Sequence, residues 1–258
     1  MRYIDTHAHY NDEVYKGKQE EILKKCRDAK VEAIVNIGYD IPSSIDSINL
    51  SNKYEYIYAV IGIHPHDVDN YTAKDIEKLY MDAKDKGLLN RLVGIGEIGL
   101  DYAFVKDNKE KQIELFKSQI RLANKLKLPI IIHSRDASLD TYNVLREVKP
   151  EYGALFHCFQ PSDDLVRLIL EEKYTVAFGG NITFKRNESF KKYILQIPIE
   201  QIVIETDSPY LAPEPLRGTV NDSSNLPIIC RKLAEYKGMP VEFVAEKVYK
   251  NAIEFYKL

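Results

Sequence analysis

The chain has 258 residues, 45% of them hydrophobic and 29% charged, with 18 tyrosines and no tryptophan. This is ordinary globular composition, long enough for one sizeable core. A formal charge of −3 and a pI near 6.1 exclude a protein coated in basic surface for avid, non-specific nucleic-acid binding, although not a phosphate-handling cleft, because bound metal ions bring their own positive charge.

Short apolar runs rich in β-branched residues alternate with amphipathic helical patterns. The predicted strands begin at Arg2 to Asp5, Ala33 to Ile37, Ile57 to Ile61 and Leu92 to Ile95. Four more follow at Ile130 to Ile132, Ala154 to Phe156, Thr175 to Phe178 and Ile202 to Ile204. Several are continuous apolar runs, as parallel strands covered on both faces require. Between them, Ile113, Phe116, Ile120 and Ala123 recur at helical spacing, and that helix must stop before Pro129. Leu165, Val166 and Ile169 predict another helix after an N-cap at Ser162, and Val244, Val248, Ala252 and Phe255 stripe a final one. No linker or composition shift breaks the chain, so a single domain is expected over 1–258. Three unpaired cysteines without CxxC spacing, no leader-like segment ahead of the first motif and no membrane-length apolar run predict a cytoplasmic protein.

All six histidines fall in four short clusters at the ends of these strands: His7 and His9 in IDTHAH, His64 and His66 in VIGIHPH, His133 in IIIHSRD, and His157 in ALFHCF. Glu97 in LVGIGEIGLDY and Asp207 in IVIETDSPY occupy the same kind of place. Scattered histidines are ordinarily surface or core residues; a full set at strand ends points instead to metal ligation and a metallohydrolase. Six of the eight strands end in such a group. An open sheet would hold its edge strands too far apart for them to share a site, so a (β/α)8 TIM-type barrel is expected, with the groups at its C-terminal mouth.

The spacing of His7 and His9 turns both side chains to one side. Glu97 stands among glycines and suits a bridge between two ions, His133 and His157 complete the second ion's shell, and Asp207 can bind a metal and touch the attacking water. Two divalent cations against two carboxylates and four neutral imidazoles leave about two net positive charges, a field that favours a phosphodiester. Imidazole-rich ligation suits zinc or manganese better than magnesium, and all three remain candidates.

Across almost its whole length the chain resembles the TatD family of metal-dependent deoxyribonucleases, within the amidohydrolase-like barrels. The ordered segments IDTHAH, GIHPH, GEIGLDY, IHSRDA, HCF and ETDSPYLAPEPLRG carry the resemblance, with the tail KGMPVEFVAEKVYKNAIEFY. It implies hydrolysis of DNA phosphodiesters, at single strands or chain ends, with two divalent metal ions. By motif, His7, His9 and Asp207 match the ligands of one metal, His133 and His157 those of the other, and Glu97 the bridge. His64 matches a further catalytic or phosphate-contacting histidine; His66 is a candidate substrate contact, with a surface position or a support to the site as the alternative. Arg135 and Arg217 are candidate phosphate contacts, with structural ion pairs as the alternative. After PLRG the family pattern continues with a basic pair and an Asn-Glu-Pro run; here it is Thr219, Val220, Asn221 and Asp222, which bears on substrate preference. The alternative activity is hydrolysis of another ester or amide, such as an aminoacyl-tRNA, at the same metals.

Overall fold

A computed structural model describes residues 1–103 and 107–258. Its strands are β1 (Tyr3–Ala8), β2 (Val31–Ile37), β3 (Ile57–Ile61), β4 (Leu92–Asp101), β5 (Ile130–Arg135), β6 (Ala154–Phe156), β7 (Thr175–Phe178) and β8 (Ile202–Ile204). The α-helices are α1 (Gln19–Asp28), α2 (Ile41–Lys53), α3 (Ala73–Asp85), α4 (Lys109–Leu126), α5 (Ser138–Glu147), α6 (Asp163–Glu172), α7 (Lys191–Gln196), α8 (Leu226–Lys237) and α9 (Val241–Tyr256). The β-then-helix step recurs through the whole chain, the (β/α)8 pattern expected from the sequence. No described helix is long and apolar enough to cross a membrane.

Contacts divide the chain into two compact units. The first comprises Met1–Asn36, His157–Pro161 and Thr175–Leu258. In it β1 pairs parallel with β2, and β7 with β8. The segment leaving β8 joins the end of β1: Asp207 donates its N–H to the His7 carbonyl (2.9 Å), and His9 donates to that of Ser208 (2.7 Å). Helix α9 packs through Val244, Val248, Ala252 and Tyr256. The last of these replaces the expected Phe255, which is half-buried, because a four-residue step from Ala252 reaches Tyr256. The Tyr256 hydroxyl donates to the Thr6 carbonyl at 3.0 Å, tying α9 to β1 beside His7.

The second unit comprises Ile37–Phe156 and Ser162–Tyr174. Strands β3 to β6 pair parallel in sequence order. Ile130, Ile131 and Ile132 are all fully buried, each contributing about 1.5–3 kcal/mol of apolar burial. Helix α4 buries Phe116, Ile120 and Ala123 and ends at Leu126, and Lys127 closes it in the left-handed conformation ahead of Pro129. Ser162 caps α6, its side chain accepting the Leu165 N–H at 3.3 Å.

Candidate metal centre

In the first unit, β1 carries Asp5 and His7 on alternate positions, and His9 follows it. The Nε2 atoms of His7 and His9 lie 3.2 Å apart. Asp207 Oδ1 is 3.7 Å from the first and 3.5 Å from the second. An ion with bonds of about 2.0–2.2 Å and tetrahedral angles spaces its donor atoms about 3.3–3.6 Å apart. Two imidazoles and a carboxylate in this triangle therefore fit a divalent cation, both in donor chemistry and in spacing. Burial opposes ionisation of Asp207, but the hydrogen bond from His9 and the charges of His7, His157 and His9 outweigh it and hold the carboxyl below its usual range.

Below the triangle lies a buried polar network. Asp5, fully buried, accepts hydrogen bonds from Ser223 Oγ (2.6 Å), Thr206 Oγ1 (2.5 Å), the Thr206 N–H (3.0 Å) and the His7 N–H (3.3 Å). Burial is the dominant influence on it and pushes its carboxyl up to about 6 despite these donors. Asp5 is thus the support beneath His7. Asn221, also fully buried, donates to the carbonyls of Thr206 (2.9 Å) and Tyr210 (2.8 Å). Asp222 accepts from Lys25 at 2.6 Å. Half of the 219–222 loop therefore fixes the exit of β8, and Val220 is exposed. His157 stacks on His7, centroids 3.9 Å apart and planes 12° from parallel. Behind it stands Glu205, fully buried, with Oε1 3.8 Å from His157 Nδ1 and accepting the Cys158 N–H at 2.5 Å.

In the second unit, Glu97 sits within β4 and its Oε1 is 2.7 Å from His133 Nδ1 and 3.7 Å from His64 Nε2. Gly99, at φ +146°, brings β4 so close to β5 that a Cβ there would collide with the His133 carbonyl oxygen. Asp101 ends β4 with one oxygen 3.1 Å from His133 Nε2 and 3.1 Å from His66 Nε2. Burial alone would lower the His133 pKa; hydrogen bonds to Asp101 and Glu97 and their charges prevail and raise it to about 9. His64 moves the other way, pushed well below its ordinary value by burial and by the neighbouring His133.

Eight sequence-predicted residues thus fall into two clusters: His7, His9, His157 and Asp207 in one unit, His64, His66, Glu97 and His133 in the other. Among the described residues, the sets His7–His9–Asp207, His7–His157–Glu205 and His64–Asp101–His133 each bring their ligand atoms within 4.8 Å of one another. Arg135, half-buried at the end of β5, pairs in register with Asp101. Arg217 lies 4.0 Å from Glu214, with its guanidinium 4.8 Å from the centre of the Phe184 ring. Asp101 and Glu205 were not anticipated. Each had a signal: Asp101 shares strand parity with Glu97, and Glu205 precedes Asp207 by two.

A model of the TatD-related DNase family matches residues 4–257. An uncharacterized metal-dependent hydrolase of Bacillus subtilis, YabD, is 37% identical over 256 residues, 99% of both chains. Another from Methanocaldococcus jannaschii is 31% identical, over 100% of this chain and 98% of its own. Among solved structures, YjjV, a TatD homologue from Escherichia coli, superposes with a TM-score of 0.91 at 25% identity, covering 100% of this chain and 98% of that one. A TatD-family hydrolase from Entamoeba histolytica gives 0.87 at 22% identity, covering 99% and 98%. The fold is accordingly the (β/α)8 TIM-type barrel. The chain belongs to the TatD-related family of metal-dependent hydrolases.

Proposed function

We propose that the protein hydrolyses phosphodiester bonds of DNA, at single strands or chain ends, using two divalent metal ions held in one hydrolase domain. The observation that carries this reading is the His7–His9–Asp207 triangle, whose 3.2, 3.5 and 3.7 Å edges suit a small divalent cation. His7, His9 and Asp207 would hold one ion, His133 and His157 the other, and Glu97 would be shared by both. Glu97 Oε1 and His133 Nδ1 meet in a 2.7 Å hydrogen bond, which brings both donor atoms to one place where an ion could separate and bind them. Such ions activate water and neutralise charge on a phosphoryl group at neutral pH.

The remaining steps belong to the chain's own side chains. Asp207, held ionised by the imidazoles around it, is the group to orient the attacking water and take its proton. His64 is the group to stabilise the scissile phosphate or the leaving oxygen. Arg135, His66 and Arg217 remain candidate contacts to flanking phosphates.

Protein loaded in turn with zinc, manganese and magnesium, then offered single-stranded DNA, duplex DNA, RNA and an aminoacyl-tRNA, tests this. DNA cleavage that disappears with chelation is the expected result. Turnover confined to the aminoacyl ester would replace the substrate class and leave the metal site in place.

A further inference from the structure

Asp101 lies outside the ligand set proposed above, yet it is 1% exposed and heavily restrained. Its N–H donates to Gln112 Oε1 at 2.9 Å, and Gln112 Nε2 donates back to its carbonyl at 3.1 Å. Oδ1 accepts the Ala103 N–H at 2.9 Å. Oδ2 is thereby held 3.1 Å from the Nε2 atoms of both His133 and His66. An ionised carboxylate accepts hydrogen bonds and donates none. Each ring must therefore carry a proton on Nε2. Without metal, both ring nitrogens of His133 face a carboxylate and donate to it; a bound ion takes the place of the Nδ1 proton, which faces Glu97 at 2.7 Å, and leaves Nε2–H on Asp101. His7 and His9 converge through the opposite nitrogen, Nε2.

We propose that Asp101 is a positioning residue that accepts the Nε2–H of His133 and His66 on one oxygen, fixing His133 to bind its metal through Nδ1 and holding His66 in the site. The inference rests on the metal-site reading above. It resolves the open choice for His66: its ring is anchored to the site through Asp101 while 37% of its side chain is exposed. A carboxylate behind a ligating imidazole fixes both the ring orientation and the tautomer, and its loss typically costs about 10–100-fold in metal affinity.

Protein labelled with [15N]histidine and loaded with cadmium-113 reports which nitrogen binds. The wild type should show cadmium coupling to His133 Nδ1 and a proton on Nε2. Asp101→Ala should lose the single coupling pattern and bind the ion about 10–100-fold more weakly. Asp101→Asn, which keeps the volume and one acceptor oxygen, should fall between them and guards against a folding defect in the alanine variant. Coupling through His133 Nε2 in the wild type, or an Asp101→Ala protein with unchanged coupling and affinity, would overturn the proposal. If the wild type takes up no cadmium, the metal reading fails by itself. The Nε2–H resonances of His133 and His66 in the metal-free protein then decide: resonances that move in Asp101→Ala uphold the role of Asp101, and unchanged ones refute it.

Discussion

His64 Nδ1 accepts the backbone N–H of His66 at 3.2 Å. That bond requires a lone pair on Nδ1, so the neutral ring of His64 carries its proton on Nε2. Burial and the nearby His133 keep the ring neutral. His64 is thus a neutral N–H donor and not an imidazolium acid.

For His64→Ala we expect retention of both metals and a fall of about 10²–10³-fold in kcat, the usual cost of one donor to developing negative charge. His64→Asn, which restores an N–H, should recover part of it. A neutral donor adds no alkaline limb to the pH–rate profile between pH 6 and 8. A limb in that range that vanishes in His64→Ala would identify a general acid instead.

Glu97→Gln keeps the shape of the side chain and removes the charge beside His133. Metal analysis should show loss of at least one ion per chain, with hydrolysis lost alongside. A variant with two ions and wild-type turnover would remove Glu97 from the shared position.

Above pH 6.5 the metal-free protein should lose stability as pH rises; below it the buried neutral His64, held well under its usual value, contributes stability that grows with pH and opposes Asp5. His133 is raised to about 9 from 6.5, so its contribution is fully present below 6.5 and lost as pH rises through 9. Asp5 is raised to about 6 from 3.8, so its contribution is present below 3.8 and lost through 6. Each window has a slope of at most about 1.4 kcal/mol per pH unit. Metal affinity should run the opposite way, rising with pH towards 9, because His133 must release a proton to bind. Urea denaturation from pH 4 to 9 checks this: His133→Gln should flatten the fall above pH 6.5, and Asp5→Asn should tilt the acidic range towards greater stability with rising pH.

Gly99→Ala should destabilise the protein by about 2–3 kcal/mol, since the added methyl meets the His133 carbonyl in a conformation that favours glycine. For a chain of this size that is a fall of roughly 4–12 °C in Tm. An unchanged Tm would mean that β4 and β5 do not approach as closely as here.

Much of this was legible in the sequence wherever burial sets the pattern. Strands β3, β6, β7 and β8 match the expected ranges, because their apolar runs end where the strands do. Strand β1 runs on to Ala8 and β4 to Asp101, past the apolar stretches that announced them. The reason is pairing: Gly99 with His133, Leu100 with Ser134 and Asp101 with Arg135 continue the β4–β5 ladder through polar residues and glycine. Hydrophobic periodicity does not register such pairing. Several expected ligands consequently lie within strands. The roles of Asp101 and Glu205 were illegible for a related reason. Each is defined by a partner distant in sequence, His133 for one and His157 for the other.

The most direct test is a time course with a 5′-labelled single-stranded oligonucleotide, run on one preparation whose metal content is measured in parallel. The wild type should carry two divalent ions per chain and shorten the DNA, stop on chelation and resume on metal return, while Asp207→Asn carries fewer ions and leaves the DNA intact. A wild-type protein with two ions bound that leaves every DNA substrate uncut would contradict the assignment of phosphodiester hydrolysis.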